Sequence, residues 1–85
     1  MKYTLIYDKR AAADKDKLTS AKLIDKAQQL CNDLAINPIP LNSKKLYRDL
    51  VGKRSIRINL QHRLVYEIFE KEKTIKIISM WGHYE

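Results

Sequence analysis

Arg57 and Arg63, with Lys44, Lys45 and Arg48 ahead of them and His83-Tyr84 behind, are the side chains whose types and spacing can do chemistry. Arg57 alternates with Ile56 and Ile58, so it is expected on the polar face of a strand whose other face is apolar. Arg63 falls early in the next strand-like run, and His83 and Tyr84 follow the last one. Such a set suits a phosphodiester. Guanidinium groups hold phosphate oxygens bidentately and stabilise the extra charge of a phosphorane-like transition state. An imidazole can protonate a leaving oxygen, and a phenol can stack on a base or bond to the phosphate. Each residue also has a plainer reading. A histidine near a terminus is commonly an exposed side chain, and His62 reads as a surface residue of a turn between strands. Trp81 reads as a packed or partner-binding aromatic, and Tyr47 and Tyr66 as half-buried packing residues. The sequence holds no glycine-rich phosphate loop, no histidine pair at ligand spacing and no carboxylate cluster. The expectation is chemistry without metal or cofactor, with the 2′-hydroxyl of an RNA as the attacking group.

The charge is concentrated where these residues lie. The chain carries 17 Lys plus Arg against 10 Asp plus Glu, a formal net charge of +7. Residues 44–63 hold seven basic side chains, Lys53 and Arg54 among them, against Asp49 alone, which accounts for +6. A polyanion is the natural partner for such a stretch, since each neutralised phosphate releases condensed counterions. A solvated basic surface without a specific partner is the alternative. At 85 residues, with 45% hydrophobic and 32% charged side chains, a single globular domain spanning 1–85 is expected. The lone Cys31 excludes an internal disulfide or a cysteine zinc cluster and points to a reducing compartment. No apolar run approaches the ~20 residues of a membrane helix, and residues 1–7 lack the features of a signal peptide. A cytoplasmic location follows as an expectation.

The elements that must position the site read in order. Tyr3 to Tyr7 is a short strand, and Asp8 can cap a mostly exposed helix over Lys9 to Lys17. Thr19 and Ser20 break that helix and can cap a second one. There Ala21, Ile24, Ala27, Cys31 and Leu34 recur at helical spacing, with Cys31 as a small hydrophobe on the stripe. Asn37-Pro38 ends it, and residues 38–42 are extended. After Gly52 the pattern alternates: Ser55 to Asn59, Arg63 to Phe69 and Thr74 to Trp81 read as three strands joined by short turns, hence an antiparallel meander. The expected fold is α+β, with two N-terminal helices on one face of a small antiparallel sheet of about four strands. The opposite face is left for the arginines.

The segment Ile56-Arg57-Ile58-Asn59-Leu60-Gln61-His62-Arg63-Leu64-Val65-Tyr66, with Trp81-Gly82-His83-Tyr84, resembles the YoeB/Txe branch of the RelE/ParE superfamily. These are toxins of bacterial type II toxin–antitoxin modules. The His62-to-Tyr66 core and the His83-Tyr84 pair are the specific parts, and the order of elements extends the resemblance over essentially the whole chain. It implies a RelE-like microbial RNase fold and a ribosome-dependent endonuclease that cuts mRNA in the A site. The products would be a cyclic phosphate upstream and a 5′-hydroxyl downstream. On this resemblance Arg63 stabilises the scissile phosphate, with Arg57 as a second basic residue beside it. His83 is the general acid and Tyr84 orients the substrate. Lys45, Arg48, Lys53 and Arg54 would add to substrate binding. Lys44 stands where the branch usually has a glutamate proposed as general base, so Lys44 or Lys45 serves as base or as electrostatic support. Glu85 follows the tyrosine at which the family typically stops. The implied partners are a cognate antitoxin, the ribosome and mRNA, with no membrane and with DNA only through the antitoxin complex. Two alternatives stay open: a ParE-like gyrase inhibitor without nuclease activity, and a degenerate non-catalytic RNA-binding module.

Overall fold

Helix and strand boundaries follow local chemistry in this computed structural model, which describes residues 2–82. The elements are β1 (Thr4–Tyr7), α1 (Lys9–Ser20), α2 (Ile24–Ile36), β2 (Lys44–Lys45), a 3-10 turn (Arg48–Leu50), β3 (Lys53–Arg57), β4 (Arg63–Phe69) and β5 (Thr74–Ser79). Asp8 caps α1 as expected, its carboxylate accepting from the Arg10 N–H at 3.2 Å. Thr19 and Ser20 do not cap α2. Helix α1 runs through both, and the Thr19 hydroxyl donates to the Lys15 carbonyl instead. The helix ends in a Schellman arrangement: Lys22 takes a left-handed φ of 60°, and the Leu23 and Lys22 N–H groups close on the Leu18 and Thr19 carbonyls. That reversal is why α2 starts at Ile24 rather than at Ala21.

Buried positions on α1 (Ala11, Asp14, Leu18) and α2 (Ala27, Cys31, Leu34, with Ala35 beside it) follow one another at three or four residues, so each helix presents one stripe to the sheet. Ile56, Leu64, Tyr66, Ile75 and Ile77 meet those stripes from the strands. Each large side chain buried in full contributes roughly 1.5–3 kcal/mol. Tyr66 is completely buried, and its hydroxyl donates to the Pro38 carbonyl at 2.7 Å, fastening the chain beyond α2 to the middle of the sheet. Tyr47 differs from the half-buried expectation and is 73% exposed.

The α+β arrangement is the expected one, but the sheet differs in two respects. It has five strands in the order β1-β5-β4-β3-β2, because Lys44–Lys45 pairs along β3 as an edge strand too short to leave an alternation in the sequence. It is also mixed: the meander is antiparallel, whereas β1 runs parallel to β5, with Leu5 opposite Ile75 and Tyr7 opposite Ile77. Both directions bury the same residues of a four-residue strand, so the pattern is blind to that choice. Strand β3 ends at Arg57 and β5 at Ser79, each two residues short of the sequence expectation. After β3, the Asn59 carboxamide oxygen accepts from the Gln61 and His62 N–H groups and turns the chain. After β5, the Met80 N–H leaves the ladder for the buried Asp14 carboxylate at 3.0 Å. Among the described residues no helix is long and apolar enough to cross a membrane.

Two outcomes test this packing. Tyr66→Phe leaves the Pro38 carbonyl without its donor and should lower unfolding stability by about 1 kcal/mol in urea titration. Burial pushes the Cys31 thiol up from 9.0 to about 11, an effect only partly opposed by a hydrogen bond from Tyr7 and the charge of Lys15. Cys31 should therefore resist alkylation at pH 8 until the protein is unfolded. Because the unfolded thiol ionises first, its contribution to stability is full below pH 9 and fades as pH rises toward 11.

Candidate active site

The register of the hairpin decides which cations share a face. Lys44 lies opposite Ser55, Ser55 opposite Val65, and Arg57 opposite Arg63. Cross-strand partners point to the same side, and Ile56 and Leu64 between them point to the helices. Lys44, Ser55, Arg57 and Arg63 therefore stand together on the face turned away from the core. Arg57 and Lys44 are exposed, whereas Arg63 retains 5% of its surface. Its Nε donates to the hydroxyl of the buried Ser55 at 3.0 Å. Ser55 is a positioning partner the sequence reading did not single out. The available signal was its place two residues before Arg57 on the same strand face.

A cleft of about 780 Å³ opens beside this group, lined by Lys44, Arg57 and Arg63 together with Lys26 and Leu30 of α2. Among the described residues its walls include four cations and no carboxylate. Ion pairs among the described residues include Lys53 with Glu67, Lys73 with Glu70 and Lys76 with Asp8, all outside this cleft. Placing two arginines directly opposite each other is unfavourable in a sheet, and burying one of them adds a desolvation penalty. An anion in the cleft would offset both. Lys26, whose side chain reads from sequence only as part of a solvated helix face, joins the site through the tertiary fold.

The other cations singled out in the sequence are placed apart from this cleft. Lys53 is four residues before Arg57 and pairs with Glu67 at 3.8 Å. Arg54 faces the core side, and its Nε and Nη2 donate to the Ser43 hydroxyl at 3.2 and 2.9 Å, clamping the loop before β2. Lys45, Lys53 and Arg54 line a separate groove of about 400 Å³ with Leu46, Tyr47 and Val51. Arg48 is exposed in the 3-10 turn, with φ at 61°. His83, Tyr84 and Glu85 lie outside the described residues. Gly82, which precedes them, is inside, and both of its peptide groups are held. Its N–H donates to His62 Nδ1 at 3.0 Å, and its carbonyl accepts from the Arg63 N–H at 2.8 Å. His62 is half-buried and stacks on Trp81, with ring centroids 3.8 Å apart. The two residues read from sequence as a turn surface and a packing aromatic thus pack on each other.

A strand, two helices and a meander in this order define a class: the RelE/ParE/YoeB superfamily of type II toxin–antitoxin toxins. More narrowly, the family described as "ParE toxin of type II toxin-antitoxin system, parDE" matches residues 5–85, and the chain belongs to it. Solved structures agree on the fold. The YoeB/ParE toxin from Agrobacterium tumefaciens superposes with a TM-score of 0.85 at 24% identity, covering 95% of this chain and 99% of that one. The YoeB-YefM complex from Staphylococcus aureus gives 0.79 at 28% identity over 99% and 100% of the two chains. The toxin–antitoxin complex RelBE2 from Mycobacterium tuberculosis gives 0.78 at 28% identity over 98% and 100%. A search of curated proteins returns no match.

The uncompensated cations make a measurable prediction. At fixed ionic strength, inorganic phosphate should raise the melting temperature of the parent and shift that of Arg63→Met much less. Without phosphate, Arg63→Met should melt no lower than the parent, since it removes a buried charge that has no carboxylate partner among the described residues. Equal phosphate shifts in both proteins would place the anion elsewhere.

Proposed function

We propose that this toxin is a ribosome-dependent mRNA endonuclease acting without a metal ion. The observation that carries the reading is the nearly buried Arg63 guanidinium, opposite Arg57 on the neighbouring strand, in a cleft whose described walls hold no carboxylate. In the proposed reaction the two guanidinium groups hold the scissile phosphate. The 2′-oxygen of the upstream ribose attacks phosphorus as its proton leaves to a base. The bond from phosphorus to the 5′-oxygen breaks, and that oxygen takes a proton from the general acid. The products are a 2′,3′-cyclic phosphate and a free 5′-hydroxyl. Arg63 and Arg57 stabilise the charge that builds on the non-bridging oxygens. His83 is assigned as general acid and Tyr84 as the group that orients the substrate, on the family resemblance. Lys44, exposed on an edge strand, is placed to supply electrostatic support beside the phosphate.

A cleft of this size holds only a few nucleotides, which favours presentation of the message by the ribosome. The antitoxin complexes among the similar structures support a cognate antitoxin as partner, and the cationic surface suits one whose acidic segment covers it. In this reading the protein acts in the cytoplasm, and its contact with DNA passes through the antitoxin. The decisive assay is cleavage of mRNA programmed on purified ribosomes. Arg63→Ala should lower the cleavage rate by about 10²–10³-fold with folding retained, and Arg57→Ala by a smaller factor. Undiminished cleavage by Arg63→Ala would remove it from the site.

A second reading draws on the ParE description of the matching family. A ParE-like toxin would inhibit DNA gyrase and leave mRNA intact. Stabilised gyrase–DNA breaks, with no message cut on ribosomes, would decide for it.

A further inference from the structure

We propose that His62 is a positioning residue: as the tautomer with Nδ1 unprotonated, it anchors Gly82, the residue that precedes His83 and Tyr84 in the sequence. The role assigned to those two residues rests on the nuclease reading above; the anchor itself rests on geometry. Three consecutive residues beyond β5 are each held by a group from another element. The Met80 N–H goes to the Asp14 carboxylate of α1, the Trp81 ring lies against the His62 imidazole, and the Gly82 N–H goes to His62 Nδ1. The Gly82 carbonyl is taken by the Arg63 N–H. Gly82 has φ of 108°, a conformation that side-chain-bearing residues rarely adopt, so the direction of the chain at this point is set by a glycine fixed from both sides.

The imidazole is itself immobilised. Its ring is stacked at 3.8 Å and 23° to Trp81, and its backbone N–H is held by Asn59 Oδ1 at 2.8 Å. The Ile58 and Asn59 N–H groups both donate to the His62 carbonyl. An acceptor bond to Nδ1 requires that nitrogen to carry no proton, which places the proton of the neutral ring on Nε2. One turn then does two things. Arg63 offers its guanidinium to the cleft and its main-chain N–H to Gly82, while His62 beside it takes the Gly82 N–H. The spacing between Arg63 and Gly82 is thereby tied to a single pair of neighbours.

Two substitutions separate the ring from the acceptor. His62→Phe keeps an aromatic ring to stack on Trp81 and lacks the acceptor; His62→Asn lacks the ring and retains an oxygen near the position of Nδ1. Amide hydrogen exchange at Gly82 should be slow in the parent, fast in His62→Phe and again slow in His62→Asn. In ribosome cleavage, His62→Phe should lose about 10²-fold in kcat with KM little changed, because Arg57 and Arg63 are untouched. His62→Asn should recover most of that loss. If His62→Phe fails to fold, His62→Leu serves as the acceptor-free variant. Gly82 exchange identical in the parent and the acceptor-free variant overturns the anchor. Cleavage by His62→Asn as slow as by His62→Phe overturns the positioning role. A parent that cuts no mRNA removes the nuclease reading alone, and the Gly82 comparison still decides the anchor.

Discussion

The placement of Arg63 directly across from Arg57 is the constraint on which the rest of the structure depends. Two guanidinium groups on adjacent strands repel, and one of them is almost out of water. The fold holds them there by force of register. Ile56 and Leu64 are buried against the helices in the same hairpin, and a slip of one residue would carry both into solvent. Ser55 gives Arg63 one acceptor, and the Asx turn at Asn59 closes the hairpin with Arg57 and Arg63 as its last and first strand residues. The apolar core thus keeps in place a charge arrangement that no local interaction favours.

The consequence is a site poised for an anion. A buried arginine is usually matched by a carboxylate, which would fill the same lone-pair geometry that a phosphate uses. Here three carboxylates of the described residues have other partners: Glu67 takes Lys53, Asp8 at the start of α1 takes Lys76, and Asp14 of α1 is turned inward to the Met80 N–H. Asp14 illustrates the division of labour. Its acid group is used to end β5 and steer the chain toward Trp81 and Gly82, on the side where the hairpin turn receives them. Stability and site geometry therefore share residues, with the helices tied to the end of β5 and the turn tied to Gly82.

Most of the fold was legible in the sequence because its signals are local or periodic. Alternation in 74–79 and the helical stripe through Ala27, Cys31 and Leu34 report burial directly, and the aromatic and β-branched content of 63–69 reports a strand. Three features were not legible. Strand β2 has two residues, fewer than one period of any pattern. The parallel direction of β1 leaves the burial of Leu5 and Tyr7 unchanged. The start of α2 depends on a lysine in a left-handed conformation, a position at which glycine is the usual signal. In the candidate site, Arg57 was visible through strand alternation, and Arg63 through its place early in the next strand and the family resemblance. Ser55, Lys26 and the His62–Trp81–Gly82 contact join residues far apart in the chain, and only the tertiary fold brings them into reach. The charge count treated residues 44–63 as one patch; the fold divides it between a cationic cleft and a groove whose cations are partly committed to Ser43 and Glu67.

In the function we propose, this cationic cleft directs the 2′-hydroxyl of a message against its own phosphate. The most direct test is the chemistry of the ends produced when the purified protein acts on ribosomes carrying a defined mRNA. A 2′,3′-cyclic phosphate on the upstream fragment and a 5′-hydroxyl on the downstream one is the predicted result. A 3′-hydroxyl with a 5′-phosphate, or an intact message, would contradict the account.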